Sequence, residues 1–232
     1  MPRDIPIIFS APMIQALLAE RKTQTRRIIK KPAALNALDV FGPSFLLKPG
    51  NVDLIRFAVG DRLWVRESVW QNGTWVRDED ETGEIGSKWV GTASVRMMAD
   101  EEKPAGSGNF VWRSIPSIHM PLWASRLTLV VEEVRVQRLH DISETDAIAE
   151  GVEMCSPRPH GMSGWRDYGD KPEDTSRRYF SDPRKSFQSL WTSINGPSAW
   201  DANPFVVALT FQVHRCNIDY LDSNLAALEA RS

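Results

Sequence analysis

Residues 126–139, RLTLVVEEVRVQRL, are dominated by β-branched and aliphatic side chains, with Leu127, Leu129 and Val131 alternating against Arg126, Thr128 and Val130. This pattern predicts one long strand. DISETDAIAEGV follows at once and predicts a short helix, with Ser143 as its cap, Glu144 and Asp146 near its positive end and Gly151 as its stop. Helices and strands do not alternate regularly along the rest of the chain, so a doubly wound sheet is excluded. The expected class is α+β: a curled sheet or small barrel with helices at its ends.

Other segments fill in that outline. IPIIFS reads as a strand and SAPMIQALLAERK as a helix, capped by Ser10 and striped by Met13, Ile14, Leu17 and Leu18. GDRLWVRESVW alternates, with Leu63 and Val65 facing one way and Trp64 and Arg66 the other. KSFQSLWTSING is an amphipathic helix that spaces Phe187, Leu190, Trp191 and Ile194 for burial, and NPFVVALTFQV is a closing strand. Residues 31–59 read as a connecting excursion. Residues 71–110, with one strand at KWVGTASVRMM, and residues 154–183 read as long loop insertions, and 217–232 as a peripheral helix.

Composition removes several function classes. No segment has the apolar length of a secretion signal or a membrane span, so a cytoplasmic protein without membrane contact is expected. Cys155 and Cys216 lie far apart, and His119, His140, His160 and His214 show no ligand spacing, so no metal or other cofactor is argued. A net charge of −2 forbids a whole-molecule basic footprint, and any nucleic-acid contact must come from a local patch. Charge is segregated: residues 21–31, RKTQTRRIIKK, hold six cations and no acid, whereas DEDETGE at 78–84 holds five acids and belongs to a solvated loop.

The stretch RKTQTRR has two readings. One is a helix end dressed with solvated cations. The other is a pocket rim in which Thr25 is a nucleophile and Lys22, its pKa lowered by burial and by Arg21, Arg26 and Arg27, is the base. Those arginines could equally bind phosphate. A proton carrier would complete the second reading, and Glu150 is available, although a Glu at a helix end is ordinarily a solvated group. WRSIPSIHMPLWASR at 112–126 combines two Trp with His and Arg, a mix that recognises unstacked bases; Trp123, Arg126 and His119 are its candidates. Core or rim packing is the ordinary alternative for them.

LLAERKTQTRR, GDRLWVRES, the long strand ending in DAIAEGV, and FVVALTF together resemble the ASCH family of the PUA-like superfamily, in the longer version common in bacterial and prophage genomes. The resemblance runs over about residues 5–215, with Glu20 standing where the family's first motif often has Gly. It implies a PUA-like small curved β-barrel over 1–216. It also implies, by similarity to N(4)-acetylcytidine amidohydrolases, Lys22 as base, Thr25 as nucleophile and Glu150 as proton carrier to the leaving amine. A larger substrate would sit with Trp123 and Arg126 on one wall and Arg66 and Glu67 on another. Relatives thought to be ribonucleases or RNA-binding modules keep two alternatives open: a metal-independent ribonuclease, and a noncatalytic reader of single-stranded RNA or a modified base.

Overall fold

The strands expected at 5–10, 61–70, 126–139 and 203–213 and the helices expected at 141–152 and 185–196 form. In the computed structural model, which describes residues 2–79, 85–155, 163–169, 179–223 and 226, β1 (Asp4–Ile8), α1 (Ala11–Leu18) and β2 (Gln24–Ile28) open the chain. Three helices follow: α2 (Pro32–Phe41), α3 (Pro43–Leu46) and α4 (Val52–Ile55). Next come β3 (Arg62–Arg66), β4 (Val69–Glu79), β5 (Ile85–Met97), β6 (Phe110–Ile115) and the long β7 (Thr128–Arg138). The chain continues through α5 (Glu144–Ala149), the short β8 (Met154–Cys155), β9 (Gly164–Arg166) and β10 (Tyr179–Phe180), then α6 (Pro183–Asn195) and β11 (Phe205–His214). The protein is mixed α+β, and among the described residues no sheet closes into a barrel. No helix among them is long and apolar enough to cross a membrane.

These elements divide into two compact units. The first comprises Met1–Arg3, Ala16–Asp61 and Val130–Val213. In it β7, β11 and β2 lie side by side, and β11 pairs with β2 antiparallel from Val206 opposite Ile28 to Thr210 opposite Gln24. Its core gathers Leu139, Ile142, Ala147, Val152, Phe187, Trp191 and Val206. Helix α6 enters this core on its Phe187–Trp191 stripe, started by Asp182, whose carboxylate accepts from the Arg184 N–H, with Pro183 in the first turn. Ile194, expected on the buried stripe, is exposed in the last turn of the helix, which ends at Asn195.

The excursion expected at 31–59 is instead largely helical. Pro32 and Pro43 sit at the first turns of α2 and α3, where a missing N–H costs nothing, so prolines that read as breakers act as starters. The expected second loop contains a small antiparallel sheet in the order β10–β9–β8. Within that loop, 156–162, including His160, and 170–178 lie outside the described residues.

The second unit comprises Asp4–Gln15, Arg62–Leu129 and His214–Ser232. Strands β1 and β3 pair in parallel from Asp4 opposite Arg62 to Ile8 opposite Arg66, and Leu63 and Val65 are buried as their alternation requires. The expected insertion at 71–110 is not mainly loop. It supplies β5, β4 and β6, which form an antiparallel sheet in that order over Val69, Met120 and Ala124. Asp78 and Glu79 of the acidic run are exposed strand residues; 80–84 lie outside the described residues, as do 224–225 and 227–232 of the expected terminal helix.

Trp191→Ala is expected to lower stability by about 3–5 kcal/mol, the cost of an unfilled cavity in a packed core. A urea melt followed by the far-ultraviolet signal measures it, and a loss under 1 kcal/mol contradicts the packing described.

Candidate functional site

The local chain path around Lys22 is set by two left-handed residues. Helix α1 ends at Leu18, and Glu20 adopts φ +58, so the chain turns and both Arg21 N–H and Lys22 N–H donate to the Ala16 carbonyl. The expected continuation of the helix to Lys22 therefore does not occur. A left-handed Glu costs about 1 kcal/mol or more, which explains physically why Gly suits this position. Gly151, at φ +91, stops the chain after α5, and a Cβ there would stand 2.9 Å from Lys22 Cβ and 3.1 Å from Ala16 Cβ. Only glycine allows Lys22 so close.

Lys22 and Glu150 form an isolated antiparallel bridge, and Thr23 N–H donates to the Ala149 carbonyl at 2.8 Å. The Lys22 amine then reaches the end of α5, donating to the Glu150 carbonyl at 2.9 Å and to Glu150 Oε2 at 2.8 Å. Ser143 starts α5 by accepting from the Asp146 N–H, and the four-residue spacing of Asp146 and Glu150 puts both carboxylates on one side of it.

Strand alternation turns Gln24 and Arg26 to one side of β2 and Thr25 and Arg27 to the other. Arg26 bridges the two acids of α5, through Nη1 to Glu150 Oε1 at 3.1 Å and Nη2 to Asp146 Oδ2 at 2.9 Å. Gln24 accepts from Arg26 at 2.6 Å and donates to Asp146 at 3.1 Å. Arg135 of β7 completes the network with two hydrogen bonds to Asp146, at 2.8 and 3.2 Å. On the other side of β2, Arg27 Nη1 donates to Thr25 Oγ1 at 3.1 Å. Arg21 is tied to the Gly151 carbonyl at 3.0 Å and to Glu153 at 3.3 Å.

Burial decides the electrostatics. Lys22 is 0% exposed and Thr25 1%, and Arg26 and Glu150 are also buried, so Lys22, Arg26 and their partner acid are not solvated decoration. Desolvation pushes the Lys22 amine below its ordinary pKa, and the charges of Arg27 and Arg26 act the same way against the pull of Glu150. Desolvation likewise lowers Arg27, which Glu150 partly offsets, so both sides of β2 feel one carboxylate. Burial raises the Asp146 carboxyl, but the hydrogen bonds from Arg135 and Gln24 and the charges of Arg26 and Arg135 outweigh it and bring the group to about 2. A carboxyl and an amine at 2.8 Å, both withdrawn from water, can pass a proton between them.

The other candidates belong to the second unit. Arg126 grips the buried Glu67 with Nε at 2.8 Å and Nη2 at 3.0 Å, and also holds Asp100, which Gln15 supports. Burial lowers the Arg126 pKa, and the hydrogen bonds to Glu67 and Asp100 more than reverse it. Its charge is thus neutralised by two acids. Arg66 stacks over Trp64 and donates to the Ile118 carbonyl. His119 and Trp123 are exposed, on short turns before β7.

Asp146, Arg135 and Gln24 were not among the sequence candidates. The spacing of Asp146 from Glu150 was a usable clue, whereas nothing in the sequence marks Arg135, which contacts Asp146 from a different element. Among the described residues no three His, Cys, Asp or Glu side chains converge to hold a metal. The chain matches no family model, no curated protein and no solved structure.

Gly151→Ala is expected to cost about 2 kcal/mol or more, from a left-handed backbone and a clash with Lys22; an equilibrium melt reads this, and an unchanged midpoint contradicts the close contact. Because Asp146 has a lowered folded pKa, its stabilising contribution is full above its unfolded value near 3.8 and is lost as pH falls toward about 2. Asp146→Asn should therefore flatten stability against pH in that window, and a wild-type-like acid limb in the variant would contradict the network.

Proposed function

We propose that the first unit is a hydrolase site for an N-acylated pyrimidine nucleoside or nucleotide, of the N(4)-acetylcytidine kind, in a cytoplasmic protein with a PUA-like curved sheet. The observation that carries this reading is the buried Lys22–Glu150 pair at 2.8 Å, whose carboxylate charge also reaches Arg27, the donor to the Thr25 hydroxyl on the other side of β2. The neutral Lys22 amine takes the Thr25 proton as Oγ1 bonds to the acyl carbon, and Arg27 stabilises the oxygen as it reacts. The proton passes from Lys22 to Glu150 and then to the exocyclic nitrogen, which departs as the free amine when the C–N bond breaks. Water then adds to the acyl-Thr25 ester, giving its proton to Lys22. The C–Oγ1 bond breaks, Thr25 regains a proton and the carboxylic acid leaves.

One observation favours a second reading. Lys22 and Thr25 are sealed from solvent, so substrate reaches them only after local opening. In a noncatalytic reader of RNA or a modified base, the network would instead brace Arg21 and Arg27.

Incubation with N(4)-acetylcytidine separates the two. The expected result is release of cytidine and acetate, reduced about 10²–10⁴-fold by Thr25→Ala and by Lys22→Ala. The rate should rise with pH through the lowered Lys22 pKa, because the neutral amine is the base. Absence of turnover on every acylated cytidine tried, with the fold intact, removes the hydrolase. Cleavage of single-stranded RNA in chelator would point to the ribonuclease alternative instead.

A further inference from the structure

The sheet of β4, β5 and β6 in the second unit carries aromatic rings that no core accounts for. Directly opposed residues of an antiparallel pair share a face. The registers Trp75–Trp89, Gly73–Gly91, Gly73–Val111 and Gln71–Arg113 therefore place Trp75, Trp89 and Arg113 together on one side. Trp89 lies across bare backbone: a Cβ on Gly73 would stand 2.5 Å from its Cζ2, and one on Gly91 2.8 Å from its Cζ3. These two glycines sit inside strands, where they weaken pairing, and their use here is to let an indole lie flat.

The Arg113 guanidinium is 5.1 Å from the Trp89 ring centroid and 5.2 Å from that of Trp75. It is exposed, and it makes no hydrogen bond or ion pair with a described residue. Trp75 is 54% exposed. Arg77, two residues on along the same face, is exposed as well. By the same register this face carries Arg77 and Arg113 against Glu79, while Lys88 and Arg96 lie on the opposite face, where Arg96 pairs with Glu101.

A planar cation oriented by two indoles, with no hydrogen-bond or ion-pair partner among the described residues, fits a polyanion whose repeating unit joins a flat π-system to a phosphate. Single-stranded nucleic acid is that polymer; in a duplex the base faces are already stacked. We propose that this face binds single-stranded nucleic acid, with bases stacking on Trp75 and Trp89 and Arg113 taking a phosphate. The stacking is sequence-tolerant, since every base has a π-face. This surface is independent of the Lys22–Glu150 site and stands whether or not that site hydrolyses anything.

The test uses the full chain with fluorescein-labelled twelve-residue oligouridylate, the matching oligothymidylate and a duplex of equal length, read by anisotropy. Binding of one or both single strands in preference to the duplex is expected, with affinity falling as salt rises; comparing the two strands assigns RNA or DNA. Trp75→Ala and Arg113→Ala should each weaken binding about tenfold, while Trp75→Phe, which keeps a stacking ring, retains most of it. Unchanged melting midpoints tie the losses to the surface. No binding at low salt, equal affinity for the duplex, equal competition by polyglutamate, or wild-type affinity in Trp75→Ala would each overturn the proposal.

Discussion

Two ion pairs withdrawn from water, Lys22–Glu150 and Arg26–Asp146, hold the first unit's functional candidates in place. Neither side chain of the first pair would be tolerable in the interior alone, because removing one partner from a buried pair typically costs about 3–5 kcal/mol. The cluster RKTQTRR contains no acid because its acids come from α5, more than a hundred residues later. Asp146 and Glu150 meet the cations of β2 from one helical side, and Arg135 of β7 closes the other end. Three elements are thereby fixed to one another by charge as well as by the apolar packing of α6.

The elements that were legible in the sequence are those whose pattern has one explanation. β3 alternates cleanly, β7 and β11 are long runs rich in β-branched and aliphatic residues, and α5 has Ser143 and Gly151 at its ends. The helices at 32–55 were hidden because proline and glycine are ambiguous punctuation: Pro32 and Pro43 begin helices that their presence argues against. The sheet at 69–115 was hidden because Gly73 and Gly91 look like turns, whereas they make room for Trp89. Lys22, Thr25 and Glu150 could be named from a motif resemblance, but not their burial, since an acid-free basic run looks the same whether its acids are absent or distant. Arg126 and Glu67 lie 59 positions apart, and no local pattern could join them.

The arginines sort by how far their charge is cancelled. Arg26 and Arg126 are each gripped by two carboxylates, so their rigid forks serve as joints. Arg113 is held by aromatic faces instead and makes no hydrogen bond to a described residue. The same residue type is architecture in one setting and an available electrostatic handle in the other, and only the partners distinguish them.

Lys22 and Glu150 touch through main chain as well as side chain, and they are 128 positions apart in the sequence. The entropy of closing so large a ring grows only with the logarithm of its length, so adding or deleting a few dozen residues in between changes it by a fraction of a kcal/mol. A lineage carrying this bridge is therefore free to lengthen, shorten or exchange the intervening excursions while the spacing of the two paired side chains stays constant.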